Sequence, residues 1–85
     1  MARTLIAGNW KMNGLKSSLT EIRAVAAELG SESGAVEVLL CVPATLVALA
    51  AEAANGSPLK IGGETCHSEE KGAFTGDISA EMLAD

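Results

Sequence analysis

Three stretches of the chain are apolar at most positions, which is the pattern of strands buried within a parallel sheet. Thr4–Ala7 is the first and is followed by Gly8. Val36–Val42 is the longest and ends before Pro43, and its near-continuous apolar character predicts a strand covered on both faces. Leu59–Gly63 predicts a third strand in spite of its two glycines, which are unfavourable within strands.

Between the first two strands, apolar residues recur at the spacing of a helix. Ser18 and Glu21 fit a capping box, in which the hydroxyl and the carboxylate satisfy free amides of the first turn. Gly30 is typical of a helix end. The predicted helix therefore runs from Ser18 to Gly30, with an apolar stripe formed by Leu19, Ile22, Val25 or Ala26, and Leu29.

Two more helices are predicted further along the chain. One runs from about Thr45 to Ala54, and the other, Ser79 to Ala84, follows a polar loop at Cys66–Gly76. The order β-α-β-α-β-loop-α predicts an α/β fold with parallel strands joined by right-handed crossovers. Three such strands leave an uncovered face and two open edges, and open edges favour pairing with further strands. The sequence thus predicts part of a larger sheet.

Composition narrows the possible functions. The 85 residues carry a net charge of −5, which argues against nucleic acid or an anionic membrane as a partner. No apolar run approaches the roughly 20 residues of a membrane span, and no basic-then-apolar leader opens the chain. Cys41 and Cys66 lie far apart in sequence, which predicts a reduced, cytoplasmic protein.

Polar side chains follow the first strand directly, in the run from Gly8 to Gly14. Lys11 offers a compact positive charge suited to phosphate or to a developing oxyanion. Asn9 can donate to a substrate oxygen while its own carbonyl is held by a neighbour. From these residues alone, a binding role and a solvated loop lysine both remain open.

Two motifs resemble those of the triosephosphate isomerases. Residues 8–14 read Gly-Asn-Trp-Lys-Met-Asn-Gly, which is similar to the signature that opens this family, and residues 72–79 read Gly-Ala-Phe-Thr-Gly-Asp-Ile-Ser, which resembles its third βα-loop. The resemblance extends over the whole chain. It implies the first three βα units of a TIM (β/α)8 barrel, with residues 1–85 as the N-terminal part of a single barrel domain and no second domain.

The resemblance also implies an activity, the interconversion of dihydroxyacetone phosphate and D-glyceraldehyde 3-phosphate in glycolysis and gluconeogenesis. Asn9 and Lys11 match the family's substrate-binding pair, and Lys11 would act as a catalytic residue by stabilising the enediolate. No cofactor and no metal are implied. His67 follows the third strand and is interpreted as an ordinary loop or interface histidine, Cys41 as a small core residue and Cys66 as structural.

A homodimer is the implied assembly. Met12 would lie near the subunit interface, and Phe74, Thr75 and Gly76 match the tip of a loop that reaches the partner's active site. Glu64 would also lie near the interface, at a position where many family members have glutamine. Because burial penalises an unpaired carboxylate, we expect Glu64→Gln to strengthen association near neutral pH; a solvated or paired Glu64 is the alternative.

The family's catalytic histidine and glutamate follow its fourth and sixth strands, which lie beyond the matched segment. We therefore expect the segment to be inactive unless the remaining barrel, as a separate chain, completes it. Two alternatives remain open at this point. The segment could be a non-catalytic interaction module that binds intact subunits through the loop that contains Phe74, Thr75 and Gly76. It could also be a self-assembling fragment in which several copies pair their open edges.

Overall fold

The computed structural model of the protein describes residues 4–30 and 36–85. Within these ranges, parallel strands form one sheet in the order β1-β2-β3, with β1 at Thr4–Asn9, β2 at Val36–Cys41 and β3 at Lys60–Gly62. The register pairs Asn9 with Cys41, and Cys41 with Gly62. All three strands therefore end at the same edge of the sheet, and the loops that follow them leave side by side.

Helices follow the strands in the predicted order. They are α1 at Leu19–Leu29, α2 at Val47–Ala53 and α3 at Ala80–Ala84. Short 3-10 turns at Lys16–Ser18 and Ala44–Leu46 lead into α1 and α2. No helix in the described part of the chain is long and apolar enough to cross a membrane.

The hydrophobic core lies between one face of the sheet and the helices α1 and α2. Ile22 of α1 and Val42, the residue after β2, have no exposed surface. Side chains of Val38, Leu40 and Ile61 reach this core from the sheet, because alternate residues of a strand share a face. The buried residues of the core are Leu19, Ile22, Ala26, Val42, Leu46, Ala50, Ala54 and Leu59.

The opposite face of the sheet is not covered in the described part of the chain. Leu5 on this face has 53% of its surface exposed, and Leu39 and Cys41 are half-buried. Lys60 and Glu37 approach each other here, with Nζ and Oε1 3.9 Å apart. An uncovered face is what three strands alone were expected to leave, and the coverage of both faces that the apolar pattern of β2 indicates is not found within the described residues.

Most element boundaries agree with the sequence within two or three residues, but the capping box is wrong. Ser18 precedes α1, yet its side chain makes no capping bond to the helix. Its Oγ instead accepts a hydrogen bond from the backbone N–H of Leu15 at 3.1 Å, because the chain enters α1 through a 3-10 turn. Gly30 ends α1 with φ of 67°, in the left-handed region that favours glycine, as predicted.

Candidate functional site

The loop after β1 is fixed to the sheet and to the core by Trp10. Its backbone N–H donates to the carbonyl of Cys41 at 2.9 Å, which continues the sheet pairing one residue past β1. Its ring packs against Gly14, where a Cβ would lie 2.9 Å from Trp10 Cε3 and 2.9 Å from Leu46 Cδ1. Gly14 also has φ of 118°. The residues between Trp10 and Gly14 thus form a tight turn at the carboxyl-end edge of the sheet.

Two asparagine side chains hold the peptide group that joins Trp10 to Lys11. The N–H of Lys11 donates to Asn9 Oδ1 at 2.8 Å. Asn13 Nδ2 donates to the carbonyl oxygen of Trp10 at 2.9 Å. Lys11 itself has φ of 58°, a left-handed conformation that residues with a Cβ seldom adopt.

Asn9 and Lys11 keep donors available for a ligand. The side-chain oxygen Oδ1 of Asn9 accepts a hydrogen bond from the Lys11 backbone N–H. The Nδ2 group of Asn9 has no acceptor among the described residues. The Lys11 side chain is exposed, and no carboxylate of residues 4–30 or 36–85 pairs with its ammonium group. An amide donor and an unpaired cation on one loop can bind an anionic oxygen, such as that of a phosphate or an enediolate.

The loop after β3 is closed at its base and braced inside. The His67 N–H donates to the carbonyl of Ile78 at 2.8 Å, and His67 pairs with Ser79 in an isolated parallel bridge. The imidazole stacks on the Phe74 ring, with centroids 3.9 Å apart and planes 30° from parallel. Nδ1 of His67 accepts the backbone N–H of Glu69 at 3.0 Å. His67 is thus a loop histidine that organises its own loop.

The residues expected at a subunit interface divide between two parts of the surface. Met12, Glu64 and Gly76 line one depression of about 190 Å³, and Met12 is 95% exposed. Phe74 lies instead against His67, and Thr75, which stands between Phe74 and Gly76 in the sequence, is exposed. Glu64 is exposed in this chain, so the burial that our hypothesis requires would have to come from a partner.

Other candidate residues do not form a second site. Within the described ranges, no group of histidine, cysteine and carboxylate side chains could hold a metal ion. Cys41 is half-buried on the uncovered face of the sheet rather than in the helix-covered core, and Cys66 is exposed. The bond from Asn13 to Trp10 was not predicted, although asparagines stand two residues before and two residues after Lys11 in the sequence.

Comparison with known proteins gives one consistent result. The family model for triosephosphate isomerase matches residues 4–85. The triosephosphate isomerase of Hyphomonas neptunium is 61% identical over 85 residues, which is all of this chain and 34% of that protein. That of Afipia carboxidovorans is 59% identical over 83 residues, covering 98% of this chain and 33% of that protein. The chain thus spans about a third of the length of these relatives.

A solved structure supports the same conclusion. The crystal structure of triosephosphate isomerase from Bartonella henselae superposes with a TM-score of 0.88 at 49% identity, covering 98% of this chain and 34% of that one. The fold is therefore that of the first βα units of a TIM barrel, as the motifs indicated. The chain belongs to the triosephosphate isomerase family.

Proposed function

We propose that this chain is the substrate-binding N-terminal part of an isomerase that interconverts dihydroxyacetone phosphate and D-glyceraldehyde 3-phosphate through an enediolate. Glycolysis and gluconeogenesis in the cytoplasm are its proposed setting, and one barrel domain its proposed framework. The observation that supports this proposal most directly is the pair formed by Asn9 and Lys11. Both lie at the carboxyl-end edge of a parallel sheet, where barrel enzymes build their active sites, and both have donors without partners in the described chain.

Each residue of the pair has its own role in the proposal. The charge of Lys11 attracts the phosphate-bearing substrate and stabilises the oxygen on which negative charge develops. Asn9 Nδ2 donates to a substrate oxygen, while its Oδ1 is held by the Lys11 amide and so keeps the side chain in one orientation. Because the Asn9 amide is held before the substrate arrives, this donor needs little reorganisation as the charge forms.

Proton transfer also needs a base and an electrophile. The family is itself the standard example of a glutamate base acting with a neutral histidine electrophile. We propose that the rest of the barrel supplies both, because the matched segment corresponds to about a third of the relatives. The open edges at β1 and β3 are where further strands would pair.

The loop after β3 is proposed to contact the second subunit of a homodimer. Its tip presents Thr75 to solvent, and the depression lined by Met12, Glu64 and Gly76 lies beside it. The stack of His67 on Phe74 stiffens the loop before association, which lowers the entropy lost on binding. Thr75 would then approach the partner's asparagine and lysine and steady them.

A second candidate is a chain that functions by association alone. The observation that favours it is apolar exposure on β1, where Leu5 is 53% and Ile6 55% exposed. These residues lie on opposite faces of an edge strand, so another sheet or another copy of this chain could cover both.

The test is to reconstitute the barrel. The chain is mixed with a polypeptide that spans the remaining two thirds of the Hyphomonas neptunium relative, and isomerase activity is followed in a coupled assay. We expect activity in the mixture, and a fall in kcat/KM by a factor of about 100 or more with Lys11→Ala, as on removal of an oxyanion donor. Lys16→Ala, an exposed lysine just outside the loop, is the matched control and should retain full activity.

Two outcomes would count against the proposal. If Lys11→Ala and Lys16→Ala were equally active, Lys11 would not be the substrate-binding cation. If light scattering showed that the two polypeptides associate while the mixture stayed inactive, the candidate that functions by association alone would be favoured.

A further inference from the structure

We infer that Asn13 is a positioning residue for Lys11, acting through the backbone and without touching the substrate. The inference rests on the proposed function, because it concerns the lysine to which substrate binding is assigned. On sequence alone, Asn13 and Gly14 indicate a turn within the motif of residues 8–14 and give the Asn13 side chain no specific role. The structure gives the Asn13 side chain a specific partner, the carbonyl of Trp10.

The bond matters because of which peptide group it holds. The Trp10 carbonyl, which accepts from Asn13 Nδ2 at 2.9 Å, belongs to the same peptide unit as the Lys11 N–H, which donates to Asn9 Oδ1 at 2.8 Å. The two asparagine side chains therefore form hydrogen bonds to opposite ends of one rigid peptide plane. Rotation of that plane would break both bonds together.

Lys11 needs these two hydrogen bonds because its backbone is in an unfavourable conformation. At φ of 58° its Cβ crowds the backbone, and residues other than glycine leave this region unless neighbouring bonds retain them. If the plane rotated, Lys11 would relax to negative φ and its side chain would leave the loop in another direction. Asn13 thus determines where the Lys11 ammonium group can reach.

Asn13 contributes little to the stability of the fold itself. Its side chain is exposed and lies outside the hydrophobic core. Its loss should therefore change the geometry of Lys11 while leaving the chain folded. A change in Lys11 geometry without loss of folding would distinguish a positioning role from a structural one.

The first measurement is nuclear magnetic resonance of the chain with Asn13→Asp. This change keeps the size of the side chain but replaces the donor with a carboxylate, which the Trp10 carbonyl repels. We expect the Lys11 amide to exchange about fivefold faster, the loss expected for one hydrogen bond. The strong contact between its own amide and α protons, typical of positive φ, should weaken.

Asn55→Asp is the matched control. Asn55 is also exposed and also precedes a glycine, and its side chain makes no hydrogen bond within the described residues. The charge change is therefore the same. Equal Lys11 exchange rates and equal proton contacts in the two variants would overturn the inference.

The second measurement is activity in the reconstituted barrel. We expect Asn13→Asp to lower kcat/KM by a factor of about 10 to 100, the loss typical of a misplaced binding group, with an unchanged melting temperature. Asn13→His offers an N–H donor on the atom bonded to Cγ when Nδ1 carries the proton, and in that form it should recover most of the activity. Full activity of Asn13→Asp would overturn the inference. If the wild-type polypeptides associated without activity while Asn13→Asp still changed the Lys11 exchange rate and proton contacts, the proposed function would be rejected and the positioning role of Asn13 supported.

Discussion

The Trp10 side chain connects the loop after β1 to the hydrophobic core, and Gly14 makes room for it. The ring packs against the core cluster beneath Gly14, and a Cβ at that position would lie 2.9 Å from both the ring and Leu46. Gly14 is needed for two independent reasons, since its φ of 118° also strains any residue with a Cβ. The turn that presents Lys11 therefore depends on this glycine.

Comparing alanine substitutions at Gly14 and Gly56 can separate the cost of steric overlap from the cost of a positive φ. We expect Gly14→Ala to destabilise the chain by about 1–3 kcal/mol more than Gly56→Ala, because overpacking adds to backbone strain. Gly56 has φ of 84° but open space around it, so alanine there meets the conformational cost alone. Urea unfolding of both variants provides the measurement. Equal midpoints would show that Trp10 and Leu46 yield without cost.

The position of Asn9 and Lys11 at the end of the first strand was predictable from the sequence, although Asn9 proves to be the last residue of β1, whereas the conformation of Lys11 was not predictable. The position followed from an apolar run ending in polar residues. The left-handed backbone of Lys11 did not, because lysine has no tendency towards it and the cause is two side-chain bonds from residues on either side. The stack of His67 on Phe74 was missed for a similar reason, since it joins residues seven positions apart in a loop without periodicity.

The loop after β3 behaves as a folded element although it lacks regular structure. Its base is the bond from His67 to Ile78, and its interior is the ring stack with Phe74, which also lies over Gly72. A Cβ at Gly72 would come 2.5 Å from the Phe74 ring, so this position of the ring requires a glycine at residue 72. We infer that the loop is ordered before any partner binds.

Removing the Phe74 ring tests this order. In Phe74→Ala we expect the Glu69 amide, which donates to His67 Nδ1, to exchange faster by a factor of about 3 to 10, as expected from the energy of an aromatic pair. Hydrogen exchange provides the measurement, and Thr75→Ala, an exposed neighbour outside the stack, is the control. If both variants exchanged alike, the stack would not hold the loop.

The order of strands and helices was predictable, whereas their ends were less so. Apolar periodicity and the glycines identify each element, and Gly30 ends α1 as expected. The ends depend on contacts that a single segment does not contain. β1 continues to Asn9 because it pairs with β2 as far as Cys41, and α2 starts at Val47 because a 3-10 turn precedes it.

One face of the sheet is covered by helices, and the other face is uncovered in the described part of the chain. Parallel pairing and the helix-covered core follow from the β-α-β-α-β pattern, and both are found. The uncovered second face was also expected, because three strands alone leave one face open, and it is found in the described part of the chain. In the proposed barrel this face points inward, and in the second candidate another copy of the chain covers it.

Leu5 provides a direct test of that open face. Leu5→Lys places a charge on the uncovered face of β1, where the side chain is 53% exposed. If the chain alone self-associates through this face, its dissociation constant should rise by a factor of about 10 to 100, the loss expected from the apolar burial of one leucine. Thr20→Lys adds the same charge at an exposed position on α1 and should leave association unchanged. Sedimentation equilibrium over a range of concentrations measures the association. A wild-type chain that stays monomeric at every concentration would rule out self-assembly and leave barrel completion as the role of this face.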